Sequence, residues 1–106
     1  MQWIEDFLHR KIRITNERID HIEAVHPEMS GQVDKIIETM TQPDWLIRSK
    51  TDLAVELFYR YYINTPVGDK YMCVVIKNQG NIDSIFMITA YYTDSVKKGE
   101  VIWKKV

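Results

Sequence analysis

Cysteine is nearly absent from this chain: Cys73 is the only one among 106 residues. A lone thiol excludes an internal disulfide and a thiolate-rich metal site. Its setting, Met72-Cys73-Val74-Val75-Ile76, predicts a small buried apolar group in a strand. Three prolines and four glycines are too few for a Pro/Gly-rich linker, and no repeat or low-complexity tract divides the sequence. The expectation is one domain over residues 1–106, long enough for one hydrophobic core. No apolar run approaches the roughly 20 residues that a membrane-spanning helix needs. The opening Met1-Gln2-Trp3-Ile4-Glu5-Asp6 carries acid where a secretory leader carries base. A cytoplasmic protein with no membrane partner is expected.

A large positive excess is also missing. The formal net charge of -1 argues against a protein that coats nucleic acid regardless of sequence. The charge is nevertheless uneven. Residues 1–59 hold 7 Lys+Arg against 11 Asp+Glu, whereas residues 60–106 hold 7 against 4. A basic second half can present one positive face.

What is present is a clear change of pattern along the chain. Residues 11–14 alternate charged and branched side chains, as a short edge strand does. Thr15 is placed to cap a helix, with Ile19, Ile22 and Val25 at helical spacing and Pro27 ending it. A second helix is predicted over 32–40, with Val33, Ile36, Ile37 and Met40 as its apolar stripe. Strands are predicted over 45–48, 55–63, 71–77, 85–93 and 101–103, separated by turn-forming segments such as Thr65-Pro66-Val67-Gly68-Asp69 and Asn78-Gln79-Gly80-Asn81. The fold class that follows is α+β. It comprises a short N-terminal strand, two helices, then a four- to five-stranded, mainly antiparallel twisted sheet with both helices on one face.

The candidate chemistry lies in the histidines of the first half and the cations and hydroxyls of the second. His21 and His26 are five residues apart, about 140° around a helix, which is poor geometry for a shared metal. No metal site and no cofactor are expected. Either histidine can present a ring nitrogen to a cleft for proton transfer; alternatively, His26 simply ends the helix, where an imidazolium suits the dipole. Along 56–63, alternation puts Leu57, Tyr59, Tyr61 and Ile63 on one face and Glu56, Phe58, Arg60 and Tyr62 on the other. Arg60 can reach a phosphate or stack on an aromatic ring, and equally can form a cross-strand ion pair. Thr89, Tyr91 and Thr93 share a face, which strand propensity alone also explains.

The run Ile12-Arg13-Ile14-Thr15-Asn16-Glu17-Arg18-Ile19-Asp20-His21-Ile22 is followed by His26-Pro27-Glu28-Met29, Pro43-Asp44, Arg48-Ser49, Phe58-Tyr59-Arg60 and Asp69-Lys70-Tyr71. Val74-Val75-Ile76-Lys77, Ile88-Thr89-Ala90-Tyr91-Tyr92-Thr93 and Lys98-Gly99-Glu100 complete the series. Together they resemble a family of small phage and bacterial proteins in the barnase–EndoU–colicin–RelE-like nuclease superfamily (the BECR fold). Val25 departs from the pattern, standing where a basic residue is expected before His-Pro-Glu. The resemblance implies a metal-independent ribonuclease acting by transesterification, a toxin or phage-derived effector held by an antitoxin protein. Its implied catalytic residues are His21, His26, Arg60, Thr89 and Tyr91, with Glu28 as an alternative base. Arg48, Lys77 and Tyr62 are the implied substrate-binding residues, and RNA is the implied partner. Two other readings stay open: a non-catalytic module that binds RNA or protein through the same fold, and a structural subunit whose tyrosines form a homodimer contact.

Overall fold

The computed structural model describes residues 2–81 and 84–106. Strand β1 (Gln2–Glu5) pairs antiparallel with β2 (Lys11–Ile14). Helices α1 (Asn16–Val25) and α2 (Val33–Thr41) follow, joined through a single 3₁₀ turn at Pro27–Met29. Strands β3 (Trp45–Arg48), β4 (Val55–Thr65), β5 (Gly68–Asn78), β6 (Ile85–Thr93) and β7 (Glu100–Lys104) complete the chain. All seven strands form one sheet in the order β1-β2-β6-β5-β4-β3-β7.

The α+β class and the placement of the helices follow from the pattern, but the sheet is larger and more mixed than expected. Five strands follow the helices, and β1, which the expected order lacked, pairs with β2 and brings the sheet to seven strands. Gln2-Trp3-Ile4-Glu5 has no clean alternation, so a period-2 reading misses it. The β2–β6 pairing is parallel, through Arg13↔Phe86. That contact joins segments far apart in sequence, and no local pattern encodes its direction.

The caps and turns have local causes. Thr15 Oγ1 accepts the Arg18 N–H at 3.1 Å, satisfying one of the free donors of the first turn of α1. Pro27 halts the helix, and Met29, 1 % exposed, pins the following turn to the core. The apolar stripe of α1 is narrower than expected: Ile22 is buried, but Val25 is exposed. In α2, Ile36 and Met40 are buried, while Val33 and Ile37 are half-buried. The β4–β5 hairpin closes at Thr65↔Gly68, where Gly68 takes φ 97°, a conformation costly for a residue with a Cβ.

The sheet has two apolar faces. Ile12, Ile14, Phe58, Met72, Val74, Ile76 and Met87 pack with Ile22, Met29, Ile36 and Met40 beneath the helices. On the opposite face Ile47, Leu57, Tyr59, Cys73 and Val75 form a second cluster with Trp45, Tyr91 and Val96. This face carries no helix, so segment 94–99 must shield it.

A buried ionic knot closes the β1–β2 end. Arg10 donates to both Asp6 and Glu56, which are 3 % and 5 % or less exposed. Burial opposes the Arg10 charge, but Glu56 and then Asp6 outweigh it and hold the guanidinium pKa above its ordinary value.

Candidate functional site

Alternation along β4, β5 and β6 carries Tyr61, Tyr71 and Thr93 onto the helix-free face as one cross-strand row. Tyr59, Cys73 and Tyr91 form the next, then Leu57, Val75 and Thr89. Segment 94–99 leaves β6 and joins β7, which pairs with β3 on the far side of β4 and β5. It therefore straps the face obliquely. Val96 packs on the Tyr59–Cys73 cluster, and the Lys97 backbone N–H donates to Tyr59 Oη at 3.1 Å. Gly99 ends the strap flat against β3. A Cβ there would meet Ile47 Cγ2 at 2.7 Å and the Arg48 carbonyl oxygen closer still.

Beside the strap lies a cleft of about 500 Å³. Val55, Leu57 and Val75 supply its apolar lining, and Ser49, Thr51 and Thr89 supply hydroxyl-bearing side chains. Lys50, Lys97 and Lys98 supply the charge. Among the described residues none of these three lysines has a carboxylate within 4.0 Å, in contrast to Lys70 and Lys77. The cleft is positive, hydroxylated and apolar-backed, a chemistry suited to a phosphate ester attached to a flat apolar group.

Tyr91 also lines this cleft, and His26, which is not itself a lining residue, packs its ring against that of Tyr91. The two ring centroids are 5.9 Å apart, with the planes tilted by 32°. His26 Nδ1 is 3.5 Å from Glu28 Oε1, and the histidine side chain remains 34 % exposed. Because Pro27 stops α1 at this point and Met29 anchors the turn, the imidazole is held against β6.

The phenols are buffered by burial. Desolvation pushes Tyr91 well above the ordinary phenol range, with the Cys73 thiol adding to the shift, so Tyr91 stays neutral. Its hydroxyl engages Cys73. Tyr91 therefore meets His26 through its tilted ring rather than as the free hydroxyl donor expected from the sequence.

The structure sets His26 against Tyr91 and places Thr89 and Tyr91 in one cleft, with Lys77 on the same face. Lys77 Nζ is 3.4 Å from Asp52 Oδ2. Four expected site residues lie elsewhere. His21 is exposed on α1 beside Thr15, Glu17 and Arg18, because α1 turns it away from the sheet. Arg60 is on the helix-bearing face, where Nη1 donates to the Gln42 carbonyl oxygen at 2.6 Å. It satisfies the C-terminal end of α2 and lies 5.6 Å from the Tyr62 ring centroid. Tyr62 lies under α2, its hydroxyl donating to Glu38 Oε1 at 2.7 Å. Arg48 pairs with Glu100 across β3 and β7. One strand-face alternation thus parts Arg60 and Tyr62 from Thr89 and Tyr91.

Lys50, Lys97 and Lys98 were not expected at the site. The Lys97-Lys98-Gly99-Glu100 string reads as a turn, and only the strap's path makes it the wall of a cleft. The basic excess of residues 60–106 was the signal that bears on it. Among the described residues no group of three or more His, Cys, Asp or Glu is placed to hold a metal ion. No helix among them is long and apolar enough to cross a membrane. No family model matches the chain, and no curated protein or solved structure shows significant similarity to it.

Proposed function

We propose that the protein binds RNA on its helix-free face and cleaves it by metal-independent transesterification, with His26 as the proton-transferring group. The observation that carries the reading is the contact of His26 with Tyr91, a residue of the cleft walled by three lysines that have no carboxylate within 4.0 Å among the described residues. In the proposed reaction the 2′-oxygen attacks phosphorus as His26 takes the 2′-hydroxyl proton. The P–O5′ bond then breaks and the 5′-oxygen takes a proton from water, leaving a 2′,3′-cyclic phosphate and a 5′-hydroxyl. The proton on the imidazole returns to water. Glu28 beside Nδ1 orients the ring. Lys50, Lys97 and Lys98 stabilise the charge that builds on the phosphate, and Thr89 offers a hydroxyl to it. The class of effector held by an antitoxin belongs to this reading, with the antitoxin covering the same basic face.

The test is RNA incubated with purified protein in EDTA, beside the same sequence with 2′-O-methyl groups. Cleavage of the first and survival of the second is expected. His26→Ala is expected to slow cleavage by about 100-fold or more at an unchanged thermal midpoint, while His21→Ala stays within about two-fold of wild type. Cleavage by His26→Ala at the wild-type rate overturns the role of His26. A second reading is favoured by one specific feature: a single histidine adjoins the cleft, which suffices for binding but gives no paired acid. Salt-dependent RNA binding without cleavage selects that non-catalytic reading.

A further inference from the structure

Beyond the strap, the helix-free face ends in an aromatic pair that the cleavage chemistry does not use. Tyr61 and Tyr71 are cross-strand partners with ring centroids 5.1 Å apart at 71°. Tyr71 in turn meets Tyr59 edge-on at 6.2 Å, and Tyr59 receives the Lys97 N–H of the strap. The pair is therefore mechanically continuous with the lysine-bearing segment. Its outer member is open: Tyr61 is 48 % exposed.

Of the acids flanking the platform, Asp94 is neutralised by a cation, whereas Asp44 holds a backbone N–H and keeps its charge. Asp44 Oδ2 accepts the Tyr61 N–H at 2.8 Å, and Asp94 is paired with Lys70. The strap that donates to Tyr59 also carries Lys97 and Lys98, which among the described residues have no carboxylate within 4.0 Å. An exposed ring linked to these cations through the strap calls for an occupant that is flat and anionic at once. Tyr61 and Leu57 are four residues apart on β4, about 13 Å along the strand, so stacked bases on one side of the strap can be connected to a phosphate in the cleft.

We infer that Tyr61 and Tyr71 form a base-stacking platform that restricts this face to single-stranded RNA, the strap lysines holding the backbone between platform and cleft. The inference rests on the reading of the helix-free face as an RNA site. Duplex RNA hides its base faces within the stack, so it cannot use the platform.

The experiment measures binding of a short fluorescent 2′-O-methyl oligoadenylate, which transesterification cannot cut, and of the same strand annealed to its complement. The wild type is expected to bind the single strand at least about ten-fold more tightly than the duplex. Tyr61→Ala is expected to weaken single-strand binding by about ten-fold, and Tyr61→Phe to restore it, because the stacking surface and not the hydroxyl is used. Tyr61 is exposed, so both variants should retain the wild-type melting curve. Wild-type affinity in Tyr61→Ala, with binding lost in a Lys97→Ala/Lys98→Ala variant, overturns the platform but leaves the RNA site. No binding of either probe by the wild type overturns the site and the platform together. A concentration-dependent dimer that Tyr61→Ala dissociates overturns the platform in favour of a subunit contact.

Discussion

Cys73 sits where a reactive group would be conspicuous, between the phenols of Tyr59 and Tyr91 on the candidate face. Burial comes first among the causes that push its thiol up to about 11, and hydrogen bonds from Tyr91 and Tyr59 only partly offset it. The thiolate is the nucleophile, so a thiol held neutral and out of solvent is inert. Native protein at pH 8 is expected to resist iodoacetamide, with labelling seen by mass spectrometry only after denaturant is added. Rapid labelling without denaturant would mean that the strap opens and exposes the Tyr59–Cys73–Tyr91 row. The burial of Cys73 was legible from its apolar neighbours in the strand. Its two phenolic partners were not, because both come from other strands.

At the scale of elements the strap is the part with most consequence. Gly99 is required by close approach rather than by an unusual φ, since a Cβ would strike both Ile47 and the backbone of Arg48. A rigid backbone contact cannot relax as a flexible side chain would. Gly99→Ala is expected to cost about 1–3 kcal/mol, as overpacking does, and to lower the thermal midpoint by several degrees. An unchanged midpoint would show that the strap end has room to shift. The helix elements were readable from spacing, capping and Pro27, and strand boundaries were close because alternation is strong in β4 to β6. The strap was not readable: a Lys-Lys-Gly-Glu string has the composition of any solvated turn.

For the molecule as a whole, the buried thiol and phenols tie stability to alkaline pH. Cys73, Tyr59, Tyr62 and Tyr91 all have folded pKa values raised by desolvation. Each holds its proton more tightly when folded than when unfolded. The stability this gives is complete below the unfolded thiol and phenol pKa values, near 8.5 and 10, and declines as pH rises through them. For Cys73 alone the amount is on the order of 3 kcal/mol. The thermal midpoint is expected to be level between about pH 7 and 8.5 and to fall between about pH 9 and 11. A level midpoint up to pH 11 would mean that these groups ionise in place, in surroundings far wetter than their packing indicates.

The sequence by itself determined the elements that depend on near neighbours. These are the Thr15-capped helix, its stop at Pro27, the long tyrosine-rich hairpin and the α+β class, because capping, proline geometry and strand alternation act within a few residues. Through the period of two it also placed Thr89 and Tyr91 on one face of their strand and Arg60 and Tyr62 on one face of theirs, while the pairing of the strands made these opposite faces of the sheet. Tertiary structure alone decided which of those faces α2 covers. It thereby assigned Arg60 to the end of α2 and Tyr62 to Glu38, and left Thr89 and Tyr91 beside the lysines. It alone set His26 against Tyr91 and turned His21 to solvent, since that choice depends on how α1 and the 3₁₀ turn lie against β6. Contacts between segments so far apart depend on packing of the whole core, which a local pattern does not encode.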